Sequence, residues 1–167
     1  MQRLQDILGL PLIETETGTQ LGQVKDVVLH LEEARVNGIT IDTDRKQVFE
    51  TGIAFSDLLC VGRDAIMIRN DIAVHQCAAI FEITNTYYTR DLFDKEIITE
   101  DGLRIGILAD IFFDVKTGEI KWYQISESLV SDLLYGRKIM PLPKMQIVGK
   151  NSVIVPGEME RLLCKDE

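Results

Sequence analysis

The chain repeats itself. Gly18, Leu21, Gly22, Val24, Asp26 and Val27 recur as Gly102, Ile105, Gly106, Leu108, Asp110 and Ile111, each displaced by 84 positions. Similar residues in one order at one offset are the signature of duplicated structure, which constrains a fold more tightly than any local pattern. The offset holds through Ala34, Val36 and Ile41, which answer to Gly118, Ile120 and Ile125. It then becomes 87, with Phe55, Gly62, Ile66 and Ile68 answering to Leu142, Gly149, Val153 and Val155. Copy two therefore carries three extra residues between Ile125 and Leu142. A unit of roughly 80 residues buries only about 60–65% of its unfolded surface, so the two copies are expected to pack against each other.

Within each copy the pattern is that of short strands. A polar turn, Glu16-Thr17-Gly18-Thr19 or Glu100-Asp101-Gly102-Leu103, precedes an apolar run. Val27, Leu29 and Leu31 then alternate, as do Ile111, Phe113 and Val115, and a period of two places each set on one face of a strand. Lys116-Thr117-Gly118-Glu119, and Glu32-Glu33-Ala34-Arg35 in copy one, read as hairpin turns. Gly18, Gly22, Gly102, Gly106, Gly118 and Gly136 are read as turn glycines. Copy one continues with a polar hairpin tip at Asp42-Thr43-Asp44-Arg45-Lys46, a strand from Gln47 to Ile53, a turn at Ser56-Asp57 and a strand from Ala65 to Ile68. Five or six short strands per unit, joined by tight turns, suit a small closed or nearly closed barrel, because closure removes exposed edges.

Copy two departs at its insertion. From Ser126 to Arg137, Leu129, Leu133 and Leu134 stand at helical spacing after a capping-type serine, and Gly136 can end the turn, so a short helix is expected. A second helical piece is expected after Pro156-Gly157, with Met159, Leu162 and Leu163. Asn70 to Arg90 contains Val74, Ile80, Phe81, Ile83, Tyr87 and Tyr88 but no Gly or Pro, and is expected to be ordered and partly buried. The organisation expected is copy one over residues 1–72, a connector over 73–90 and copy two over 91–167.

Composition removes several function classes. Hydrophobic residues at 46% with 27% charged describe a folded globular chain. No run reaches the ~18 apolar residues of a membrane span. Met1 to Leu10 do not resemble a secretory signal, so a cytoplasmic location is expected. Eighteen Lys and Arg against 27 Asp and Glu give a net charge of −9, which disfavours nucleic acid, repels anionic lipid and favours a basic protein partner. Association with a membrane complex would therefore run through a partner protein. Cys60, Cys77 and Cys164 are read as reduced and structural, with Cys164 an exposed thiol near the terminus, and His30 and His75 do not complete a zinc spacing with them. A calcium loop counted from Asp42 would need Gly and Glu where Gln47 and Ile53 stand. No nucleophile–base set or phosphate loop emerges, so no catalytic, cofactor-binding or metal residue is assigned and no enzymatic activity is expected. Asp26 and Asp110, at equivalent places, are expected on outward strand faces, satisfying turn amides or meeting water.

The order Gly102-x-x-x-Gly106, Ala109-Asp110-Ile111, Thr117-Gly118-Glu119-Ile120, Ser126-x-Ser128-Leu129 to Gly136-Arg137, Val148-Gly149 and Val153-Ile154-Val155-Pro156 resembles the PRC-barrel domain. Copy one resembles it through Gly18, Gly22, Val24, Asp26-Val27 and Phe55 to Ile68. The family takes its name from the cytoplasmic part of the photosynthetic reaction centre H subunit, and also supplies the C-terminal domain of a ribosome maturation factor. The sequence shows neither the membrane helix of the former nor the N-terminal domain of the latter, so the module alone is expected to carry over. The resemblance implies a mainly β chain: two small PRC-type β-barrels in tandem, with short helical pieces after the third strand of copy two and at the C-terminus. It also implies a non-catalytic barrel used for protein contacts.

The residues expected to meet a partner are Trp122, Tyr123, Ser126, Ser128, Asp132 and Arg137. The insertion projects from the barrel, where Arg137 either pairs with Asp132 or reaches a partner carboxylate. One of Trp122 and Tyr123 should face outward as an anchor. The competing structural reading has the leucines capping an open barrel end and Arg137 satisfying carbonyls. The function expected is a protein interaction or assembly module, homodimerisation being one form of it. The alternative is a flavin-like small molecule held in the cleft between copies.

Overall fold

A computed structural model describes residues 1–43, 49–76, 81 and 84–166. After a two-residue strand β1 (Gln2–Arg3), copy one builds β2 (Pro11–Glu14), β3 (Gln20–His30), β4 (Arg35–Asp42), β5 (Thr51–Ala54), β6 (Leu58–Val61), β7 (Ile66–Ile68) and β8 (His75–Gln76). Next comes β9 (Thr86–Tyr88). Copy two builds β10 (Glu96–Thr99), β11 (Arg104–Phe113), β12 (Ile120–Ser126), β13 (Lys138–Pro141), β14 (Ile147–Val148), β15 (Ser152–Val155) and β16 (Cys164–Lys165). The two sheets run β6-β7-β2-β3-β4-β5-β8 and β14-β15-β10-β11-β12-β13-β16, the same order twice. The chain is mainly β.

The duplication extends to register. Leu12 faces Ile66 in a parallel pair, as Ile97 faces Val153. Bulges fall at Leu12/Ile13, Val24/Asp26 and Val28/Leu29, and again at Ile97/Ile98, Leu108/Asp110 and Phe112/Phe113. A bulge bends its strand and sharpens the twist, which curls each sheet into a barrel-like wall. The end strands do not pair with each other among the described residues; they are only two to four residues long. The edge strand β6 escapes the sequence pattern because Leu59 and Cys60 are both exposed and no alternation marks it. The expected hairpin tip over Asp44-Arg45-Lys46, the start of the strand expected from Gln47, and Cys77, Ile80 and Ile83 lie outside the described residues.

Each copy lends its leading segment to the other. Strand β1 pairs with β11 of copy two, Gln2 facing Phe113 and Arg3 facing Phe112. Strand β9, which leads copy two, pairs with β3 of copy one, Tyr87 facing Leu29 and Tyr88 facing Val28. Between the copies the Val36 amide donates to the Gly118 carbonyl at 2.8 Å and the Ile120 amide to the Ala34 carbonyl at 2.7 Å. These pairs exchange under the repeat, so a pseudo-two-fold axis passes through the Arg35–Glu119 bridge. One continuous apolar core results, joining Leu12, Leu29, Ile53 and Ile66 to Ile97, Ile111, Phe113, Tyr123, Met140 and Val153. The Phe55 and Phe113 rings meet edge to face across the copies, with centroids 6.4 Å apart.

Along β3 burial goes beyond the alternating face, and two sequence expectations change here. Both faces of the end of β3 are covered, since Val28 and His30 are buried along with Val27, Leu29 and Leu31. Val28 packs on Phe81 and Tyr88. Gly22 and Gly106 are not turn residues: they lie inside β3 and β11, where a Cβ would stand 2.4 Å from the Asp42 carbonyl oxygen or 2.6 Å from Ile125 Cγ2. Gly18, Gly102, Gly118 and Gly136 do sit at turns with positive φ. Asp26 and Asp110 are buried rather than outward.

Those two aspartates fasten the exchanged segments. Each Oδ1 accepts the next amide of its own strand, Val27 or Ile111, at 2.8 Å. The Asp26 oxygen also accepts the Thr89 amide at 3.0 Å and the Thr89 hydroxyl. The Asp110 oxygen accepts the Gln5 amide at 3.2 Å, and the Gln5 side chain donates to the Ala109 carbonyl. A buried carboxylate that accepts backbone amides orders both groups at once, because leaving either unpaired costs ~1–3 kcal/mol. Arg90 adds an ion pair to Asp26 at 3.3 Å while lying 4.1 Å above the Tyr88 ring. Asp110 has no such cation, and its Oδ2 has no hydrogen-bond partner among the described residues.

Candidate interaction surface

The insertion of copy two forms a helix over Leu129–Tyr135. Ser128 caps it, its Oγ accepting the Ser131 amide at 3.1 Å, and Gly136 ends it with φ +76°. At 100° per residue, Leu129, Leu133, Val130 and Leu134 fill an arc of about 140°, with Ser131, Asp132 and Tyr135 on the rest.

The helix is mounted with its polar side inward. The Ser131 hydroxyl donates to Glu127 at 3.1 Å, and Asp132 accepts the Glu127 amide at 3.3 Å. Arg137 lies 3.4 Å from Asp132 and donates to the Gln124 side chain at 2.9 Å, while Gln124 donates to Asp166. Lys138 meets Glu127 at 2.5 Å, and this ammonium holds the Glu127 carboxyl below the usual range. Leu129 and Leu133 are 89% and 87% exposed, and Val130, Leu134 and Tyr135 are exposed as well. The leucines therefore do not cap the barrel. Arg137 binds side chains rather than carbonyls.

This arrangement redistributes the residues expected to meet a partner. Ser128, Asp132 and Arg137 belong to the mount of the helix rather than to its outward face, and Ser126 ends β12 ahead of it. Tyr123 is fully buried and cannot meet a partner; its hydroxyl donates to Gln146 at 2.7 Å, and burial pushes the phenol well above its ordinary range. Trp122 is only partly buried and shares one face of β12 with the buried Gln124 and with Ser126, toward the opposite end of the strand from the helix. What sequence reasoning missed is that the leucines themselves are the outward group. The signal was present in the apolar pairs Leu129/Leu133 and Val130/Leu134, but spacing alone does not say which side faces in.

Two hollows lie between the copies. One, of about 440 Å³, is walled by Leu31, Glu32 and Tyr87 on one side and Lys144 to Val148 on the other. Its pseudo-symmetric counterpart, of about 720 Å³, lies between Phe55 to Val61 and the hairpin Val115 to Thr117. His30 is a satisfied core residue whose Nδ1 accepts the Glu33 amide. Cys60 and Cys164 are exposed free thiols, so Cys60 has no structural burial. No group of three His, Cys, Asp or Glu gathers to hold a metal among the described residues. No described helix is long and apolar enough to cross a membrane.

The family model of the PRC-barrel domain matches residues 1–74 and again residues 84–159. The chain belongs to the PRC-barrel family. It is a tandem PRC-barrel chain, and the second match, from residue 84, begins just before β9. No curated protein matches the chain closely enough to add a named relative. Within this tandem PRC-barrel chain the outward helix belongs to copy two, where three residues are inserted relative to copy one.

Proposed function

We propose that this tandem PRC-barrel chain is a non-catalytic protein interaction module whose contact surface is the apolar face of the helix Leu129–Tyr135. One observation carries the reading: a helix held by its polar residues and turned apolar side out. Burying a leucine contributes about 1.5–3 kcal/mol, so a chain that leaves Leu129, Leu133 and Leu134 in water gives up stabilisation that a partner recovers. An exposed apolar cluster ringed by paired charges, here Glu127 with Lys138 and Asp132 with Arg137, is the form an interface core takes.

Affinity capture from native cells with the wild-type chain and with L129E/L133E tests the proposal. A stoichiometric protein that is lost with the double variant is the expected result. The same protein retained by a folded double variant would place the contact elsewhere.

A flavin-like ligand in the hollow of about 440 Å³ is the second reading. Against it, the wall carries Glu32 and Glu100 beside a single cation, Lys144, and the acids oppose a phosphate-bearing cofactor. A melting temperature raised by flavin mononucleotide would favour this reading over the helix.

A further inference from the structure

The first sheet ends on an edge strand that carries no charge and no proline. Among the described residues, strand β6 pairs with β7 on one side only. Its sequence, Leu58-Leu59-Cys60-Val61, thus lacks two of the devices against strand addition; a bulge falls at Leu58/Cys60, and Leu59 is 55% exposed. The corresponding strand of copy two, β14, is only two residues long. At four residues, β6 is the longest of the described end strands.

Hollows flank that edge. The one of about 720 Å³ runs from Phe55 and Leu58 to Val61 across to Arg35, Val36 and Asn37 of β4 and to the copy-two hairpin at Lys116. A second, of about 430 Å³, shares Ser56, Leu58 and Leu59 and extends to Ile72 and His75. The charged residues on the smaller hollow are Arg69 and Asp57, and on the larger one Arg35 and Lys116 against Glu33. Neither cation of the larger hollow makes an ion pair among the described residues. Glu119, opposite Arg35 in the bridge, is taken by Lys121 at 2.5 Å. A local cationic excess at an apolar edge, in a chain of net charge −9, selects an acidic occupant.

We propose that β6 accepts an extended acidic segment of a partner protein as an added strand. Backbone hydrogen bonds to the free edge hold the segment, the hollows receive its apolar side chains, and Arg35 and Lys116 read its carboxylates. This surface is separate from the copy-two helix.

The test is a display library of random twelve-residue peptides selected on the intact chain, followed by amide hydrogen exchange with the enriched peptides. Enrichment of acidic, β-branched, proline-poor sequences is expected, with exchange at Leu59 to Val61 slowed at least tenfold. R35E/K116E should weaken those peptides at least tenfold, and L129E/L133E should leave them bound. Absence of enrichment, basic peptides, or binding indifferent to R35E/K116E would overturn the proposal. Peptides lost instead with L129E/L133E would overturn it too, while supporting the helix as the contact surface.

Discussion

Asp26 and Asp110 occupy one position in two copies and show how equivalent residues diverge. Both are buried and both fasten the other copy's leading segment, but among the described residues only Asp26 makes an ion pair. Burial raises the Asp110 carboxyl above its ordinary range, against the pull of the Ile111 and Gln5 amides. A carboxyl with a raised folded-state pKa costs stability while ionised, and that cost is relieved as pH falls through the folded value toward about 3.9, the unfolded one. Glu127 and Asp114, held below their usual range, act in the opposite sense, their stabilisation being lost as pH falls from the ordinary carboxylate values through the folded ones. The unfolding free energy of the wild type minus that of Asp110→Asn should therefore rise as pH is lowered from 7 to about 4.5, measured by urea titration. A difference independent of pH would mean the carboxyl is not desolvated. The repeat made the pair visible in sequence. It could not show burial, because the groups that bury and bind each carboxylate come from 63 and 105 residues away.

At the scale of elements, the helix of the insertion was legible down to its ends. Ser128 caps it and Gly136 stops it as the sequence indicates. Its orientation was not legible, because periodicity defines a face without saying what lies beneath. What decides it is the polar mount: Glu127, Ser131, Asp132 and Arg137 satisfy one another against the end of β12, leaving the leucines nowhere to go but out. A helix held this way has little to lose beyond itself. Ser128→Ala should cost about 1 kcal/mol locally, quickening amide exchange at Asp132 to Tyr135 roughly fivefold. The global denaturation midpoint should stay where it is. A shift of that midpoint would mean the helix contributes to the main core.

Across the whole molecule, duplication was legible and exchange was not. An offset of 84 reveals two units, but nothing local says that Gln2 and Arg3 pair with copy two, or Thr86 to Tyr88 with copy one. Those short strands gain their partners only in the assembled fold. The traded segments and the shared core join the copies into one cooperative unit. Trp122, the single tryptophan, lies in copy two, so its fluorescence reports that half, while amide exchange at Val27 and Ile39 reports the other. Both should give the same unfolding free energy; a separate, earlier transition in either half would show independent barrels. A core completed by the two copies needs nothing from the apolar residues of the helix. Denaturant unfolding of the intact L129E/L133E chain tests this most directly. The expected result is an unfolding free energy within about 0.5 kcal/mol of the wild type, as for exposed positions. A loss of about 3 kcal/mol or more, the mark of charged residues forced into a core, would contradict an outward-facing helix.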